Sequence, residues 1–216
     1  VRKKITKKLK RYSSKVNCIF HEKKKKKNLQ KFFLKWSGDY IFSFRSHFII
    51  SKDVIDKAKI AAINFHPGPP KYRGIGCVNF SILNDEKTYG STCHLMTRKI
   101  DQGKIIDVKN FKVHRNYNID SILRKTYQLQ YYQFKKVVKK LFQNTNNLNK
   151  MINKSKKEKW SAKLYTKKQL DELYKMNIGS KFKKIKIDRY LRATVTKNYM
   201  PFIEINKFFF YLNNEK

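Results

Sequence analysis

The sequence predicts an α/β fold. Between Asp39 and Phe142, short runs with strand character alternate with stretches of helical spacing, the pattern that builds a sheet covered by helices. Five of the seven glycines and three of the four prolines fall between Ala61 and Lys104, which concentrates the special turns in one place. The length of 216 residues gives room for one such domain and an appendage.

Taken in order, Val1 to Arg11 reads as a basic helix, Val16 to Phe20 as a strand and Lys23 to Lys27 as a solvated turn. Asp39-Tyr40-Ile41-Phe42-Ser43-Phe44 is a buried strand, followed by a turn at Arg45-Ser46-His47. Ser51 is placed to cap a helix running through Lys57, with Asp53 and Asp56 favouring its dipole. Lys59 to Phe65 is the next buried strand, stopping at His66-Pro67. Strand side chains alternate, so Asn64 and His66 are expected on one side, at a carboxyl end where open α/β sheets bind ligands. Pro67-Gly68-Pro69-Pro70 should form a stiff loop.

Cys77 to Leu83 suits a helix, Tyr89 to Met96 a strand, Lys99 to Gly103 a loop and Lys104 to Phe111 a strand. His94 lies within its strand, where a histidine is more often packed than catalytic. Asn118 to Phe142 is a long helix with Ile119, Ile122, Leu123, Thr126, Leu129 and Tyr132 at helical spacing. Gln143 to Lys159, rich in Asn and Lys, reads as a linker or exposed loop. Thr166 is placed to cap another helix. Phe202 to Ile205 and Phe208 to Leu212 are expected to pair as a hairpin through Asn206-Lys207.

Three groups of residues together resemble the N10-formyltetrahydrofolate-dependent formyltransferases: Asn64-Phe65-His66, Pro70-Lys71-Tyr72-Arg73-Gly74, and Asp101 about 35 residues beyond the histidine. The run INFHPGPPKYRGIG looks most like the branch that formylates amino sugars on nucleotide carriers; the methionyl-tRNA branch usually carries a Ser-Leu-Leu-Pro type loop instead. The similarity covers about Gly38 to Phe111, with a weaker echo at Trp160 to Leu173 and Ile187 to Tyr211. The resemblance implies a Rossmann-like domain with a mostly parallel sheet, a small C-terminal helix and hairpin extension, and a first N-terminal strand that is missing from this chain. It divides the chain into a catalytic domain over residues 1–142, N-terminally incomplete, a linker at 143–159 and an extension at 160–216. It further implies Asn64, His66 and Asp101 as catalytic residues, and Phe44, Arg45, Ser46 and Gly103 as neighbours of the folate.

In that reading the Asn64 amide donates to the oxyanion of formyl transfer, one such donor being worth about 10²–10³ in rate. His66 is the general base or a second donor, and Asp101 orients His66 or takes the amine proton itself; the sequence leaves these roles open. The acceptor is expected to be a nucleotide-linked amino sugar and the formyl donor N10-formyltetrahydrofolate. A homodimer is left open.

The net charge of +37 invites a nucleic-acid reading. Lysine supplies 43 of the 52 basic residues, however, and the charge avoids the chemical centre: residues 51–110 carry ten basic and six acidic residues, residues 1–50 sixteen and two. Specific nucleic-acid binding should show arginine and aromatic groups in a defined groove, so a lysine-rich solvated surface is expected, with no specific nucleic-acid partner. No window of about twenty apolar residues occurs, so no membrane span is expected. Cys18, Cys77 and Cys93, odd in number and without CxxC spacing, argue against a disulfide framework or zinc site and for a reducing, cytoplasmic setting. The competing classes are a metal-dependent hydrolase using His66, His94 and Asp101, a methionyl-tRNA formyltransferase-like enzyme, and an inactive basic binding module.

Overall fold

The computed structural model describes residues 7, 9–11, 33, 35–46, 49–176 and 184–212. Residues 7, 9 and 10 are helical and Arg11 is in a turn; the remaining residues of the expected basic helix, the strand at Val16–Phe20 and the turn at Lys23–Lys27 lie outside the described residues. The chain divides into two compact units, residues 1–65, 93–107 and 132–156 forming the first and residues 66–92, 108–131 and 157–216 the second.

The first unit holds β1 (Gly38–Phe44), α1 (Lys52–Ile55) and most of β2 (Ala58–His66). It also takes the end of β4 (Thr88–Leu95), the start of β5 (Ile105–Lys112), the second half of α3 (Ile119–Gln143) and α4 (Asn147–Lys154). The sheet order is β1-β2-β4-β5. β1 runs parallel to β2, with Tyr40 opposite Ala61 and Phe44 opposite Phe65. Both strands are apolar on two faces, as a strand covered on both sides must be. Ala61, Ile63 and Phe65 face a core with Phe134, Val137, Val138 and Leu141 of α3. Ala62 faces the other way, with Ile41 and Val54. Phe44, Phe65 and Phe134 meet at centroid distances of 5.1–5.9 Å, in tilted and edge-on geometry that suits aromatic quadrupoles.

Two expectations fail in this unit. The segment read as a linker contains α4, whose Leu148 is buried with Met151 and Ile152 beside it. That i, i+3, i+4 stripe is hidden in an Asn- and Lys-rich composition. Ser51 does occupy the N-cap position, but its side chain makes no capping hydrogen bond and α1 stops at Ile55.

The second unit holds β3 (Arg73–Gly74), α2 (Cys77–Leu83), β6 (Leu164–Tyr165), α5 (Lys167–Tyr174), β7 (Lys175–Met176), α6 (Lys184–Thr194), β8 (Phe202–Ile205) and β9 (Phe208–Tyr211). β3 pairs parallel with β6, a two-residue contact that no sequence pattern announces. Tyr165 of β6 stacks between Tyr72 and Phe80, at 5.7 and 4.1 Å. Thr166 caps α5 as expected, in a reciprocal box with Gln169. The hairpin also forms, with Asn206 at φ 50° and Lys207 at φ 69°, the left-handed pair that a tight two-residue turn demands.

Along α3 the buried stripe runs through Ile119, Ile122, Thr126, Gln130, Gln133, Phe134, Val137, Val138 and Leu141. Tyr132, expected in it, is 56% exposed. Gln133 is accommodated there because its amide is satisfied on Asp107, donating to the carbonyl and carboxylate oxygens at 2.9 Å each. Among the described residues, no helix is long and apolar enough to cross a membrane.

Candidate functional site

Three of the polar residues at the strand ends meet in the first unit. Asn64 Nδ2 lies 3.2 Å from Nε2 of His94, and the same nitrogen lies 3.4 Å from Oδ1 of Asp101. The other ring nitrogen, Nδ1, donates to the Leu95 carbonyl at 2.8 Å. His94 is 3% and Asp101 8% exposed, while Asn64 is half-buried. Buried polar groups of this kind must satisfy one another.

The sequence places them locally. Cys93 faces the apolar core, so alternation turns His94 to the opposite face of β4. Asn64 follows Ile63 in the same way on β2. The chain then folds back: Leu95 N–H donates to the Lys104 carbonyl at 2.9 Å, and Met96 N–H to Ala62 at 2.7 Å. Gly103 makes that return feasible, because a Cβ there would run into the Leu95 carbonyl. Asp101 sits at φ 47°, a left-handed conformation that Asp tolerates better than most residues. Burial pushes the neighbouring Cys93 thiol well above its ordinary pKa, so it behaves as an apolar filler.

His66 belongs to the second unit and is held differently. Its Nε2 donates to the Tyr72 carbonyl at 2.8 Å, Cys77 Sγ is 3.9 Å from that nitrogen, and the ring stands edge-on to Trp160 at 5.9 Å. The proline loop is fastened along its length. Ser91 donates to the His66 carbonyl at 3.1 Å, Tyr89 to Pro67 at 3.0 Å and Thr92 to Gly68 at 2.7 Å. Ser161 N–H donates to Pro70 at 3.0 Å. Arg73, 3% exposed, donates to the Ser161 carbonyl at 2.8 Å, and Gly74 at φ 88° leaves space for the Tyr165 carbonyl. The arginine and glycine of the loop pattern therefore have architectural work in this chain. Burial raises the Tyr72 phenol above its usual range, and Tyr72 donates to Glu86 at 2.8 Å.

Among the residues expected beside a folate, Phe44 turns its ring to Phe65 and Phe134. Arg45 has φ 52°, and both it and Ser46 are exposed. Gly103 closes the loop that carries Asp101. Among the described residues, no three His, Cys, Asp or Glu side chains are placed to share a metal ion. His94 is packed and hydrogen-bonded, as expected of a strand histidine, but its contact with Asn64 was not anticipated from the sequence. The usable signal was its place on the face opposite Cys93, at the end of the strand that leads into the Asp101 loop. Sequence reasoning also passed over Trp160 as a neighbour of His66.

The chain is similar to several known proteins. It is 34% identical over 114 residues to the bifunctional polymyxin resistance protein ArnA of Wigglesworthia glossinidia brevipalpis, covering 52% of this chain and 17% of that protein. It spans under half the length of the first relatives it matches by sequence. A 4-N formyltransferase from Francisella tularensis shares the fold, with a TM-score of 0.68 at 22% identity over 99% of this chain and 95% of that one. The N-formyltransferase of Helicobacter canadensis, solved with folinic acid and dTDP-3-aminofucose, has a TM-score of 0.54 at 25% identity over 77% of this chain and 58% of its own. The sequence pattern of the formyl transferase family matches residues 3–138, well over half of the chain, and the chain belongs to that family.

Proposed function

We propose that this chain transfers a formyl group from N10-formyltetrahydrofolate to the amine of a nucleotide-linked amino sugar. The observation that carries the reading is the cluster of Asn64, His94 and Asp101, with Asn64 two residues before His66 on β2. Formyl-folate supplies an activated formyl carbon. Transfer needs a hydrogen-bond donor for the oxygen on which charge develops, and an acceptor for the proton the amine loses. The donor set fits: the half-buried Asn64 carboxamide donates, and the Asp101 carboxylate accepts. His66 donates from Nε2 to Tyr72, so in the neutral ring the lone pair sits on Nδ1. Arg45, Ser46 and Gly103 are the residues assigned to the folate. The sugar acceptor is supported by the Pro67–Gly76 loop and by the likeness to a formyltransferase solved with dTDP-3-aminofucose.

The test offers the full chain N10-formyltetrahydrofolate with a panel of nucleotide-linked amino sugars or with methionyl-tRNA, at physiological salt. Formylation of at least one sugar amine is expected. Transfer to the tRNA with none to any sugar would overturn the acceptor, and no transfer to either would overturn the activity.

A further inference from the structure

We propose that His94 is a positioning residue for Asn64, fixing the direction in which the carboxamide donates. The inference rests on the assignment of Asn64 to the formyl oxygen. A backbone carbonyl only accepts, so the contact of Nδ1 with the Leu95 carbonyl at 2.8 Å requires a hydrogen on Nδ1. In the neutral ring the lone pair then sits on Nε2. That nitrogen, 3.2 Å from Asn64 Nδ2, accepts one of the two amide hydrogens. The second hydrogen of the same NH₂ group lies in the amide plane, and its direction is fixed by the first.

Without such an anchor the final torsion of an asparagine is broad and roughly two-fold. A half-turn would present the amide oxygen where a donor is needed. His94 selects nitrogen over oxygen. Asp101 limits when it can do so. Its Oδ1 is 3.4 Å from Nε2, and an imidazolium would give its hydrogen to that carboxylate and leave Asn64 without its acceptor. The anchor therefore belongs to neutral His94, held by Leu95 on one side and Asn64 on the other.

A double-mutant cycle on the full chain tests this, beside ¹⁵N NMR of histidine-labelled protein. His94→Phe removes the acceptor and keeps a ring. With an amino-sugar acceptor, kcat should fall about 10- to 100-fold while KM for both substrates stays within about threefold, as expected when a transition-state donor is misaimed. His94→Gln, whose side-chain oxygen can accept from Asn64, should recover most of the loss. In an Asn64→Ala background, His94→Phe should cost no more than about twofold. Equal losses with and without the Asn64 amide, or normal kcat in His94→Phe, would overturn the proposal. The NMR arm needs no activity and covers a His94→Phe variant that does not fold. In the neutral ring Nδ1 should carry the hydrogen, and Asn64→Ala should shift the Nε2 resonance. A ring protonated on Nε2 alone, or an Nε2 signal indifferent to Asn64, would sink the anchor even in a protein that transfers formyl groups. Conversely, a chain that formylates nothing but shows the expected NMR pattern would overturn the functional reading and leave the anchor standing.

Discussion

Asn64 and His66 stand two residues apart on one strand, yet they are held in opposite ways. Asn64 bonds to another side chain, His94, which in turn lies beside the carboxylate of Asp101. His66 bonds to a backbone carbonyl, with a thiol and an indole as further neighbours. A carbonyl cannot change its protonation or rotate away, so His66 has a fixed tautomer in a fixed frame. The orientation of Asn64 therefore depends on side chains carried by β4 and by the loop that follows it. One residue is oriented by another side chain, the other by the backbone.

Substituting the two residues should separate these properties most sharply. Asn64→Ala should lower formyl transfer by about 10²–10³, the worth of one oxyanion donor, with a smaller loss of stability than His66→Ala because Asn64 is only half-buried. His66→Ala should abolish most transfer as well and also destabilise the fold by about 1–3 kcal/mol, because it leaves the buried Tyr72 carbonyl without its donor. Turnover measured beside thermal melting checks both. Parent-like turnover in either variant would remove that residue from the chemistry, and equal melting of the two would erase the contrast in how they are held.

The loop glycine gives a smaller effect. In Gly103→Ala, the added Cβ meets the Leu95 carbonyl, so the return from β4 must open and carry Asp101 with it. A stability loss of about 1–3 kcal/mol is expected, together with loss of the His94–Asp101 proximity. Denaturant unfolding and the His94 ¹⁵N shift would register it. A variant with unchanged stability and an unchanged shift would show that the loop tolerates the atom.

The smallest effect is a pH dependence in the second unit. Burial pushes the Tyr190 phenol up to about 12 from its ordinary 10.0, and the hydroxyl donates to the Leu173 carbonyl. A folded-state pKa above the unfolded value means the stabilisation is complete below pH 10 and is lost as the pH rises toward about 12. Melting temperature should therefore decline across that interval, and less steeply in Tyr190→Phe. Identical slopes in the two proteins would count against a role for this phenol.

Much of the frame was legible because its cues are local. β2 ends where His66-Pro67 forbids a further ladder bond, Thr166 and Gln169 announce α5, and the alternation in residues 89–96 marks β4. Other features depend on partners distant in sequence. Gln130 and Gln133 look like solvent residues on α3 until Asp107 is beside Gln133. Leu148, Met151 and Ile152 make a stripe only against the core of the first unit. His94 became legible as a partner of Asn64 only once β4 lay beside β2 in the sheet. The residue types of the site could be picked out in the sequence, but not the hydrogen bonds that orient them.

The pairing of β3 with β6 also bears on how such a chain can be recombined. Arg73 reaches the carbonyls of Ser161 and Ala162, Ser161 reaches back to Pro70, and the backbone at Gly74 lies against Tyr165. Residues 161–165 and the proline loop are thus two halves of one mould, although some ninety positions separate them in the sequence. A chimaera spliced at residue 160 would join a loop from one parent to a clasp from another. The transplantable module is the loop together with its clasp, and compensating changes are to be sought between these segments rather than within either one.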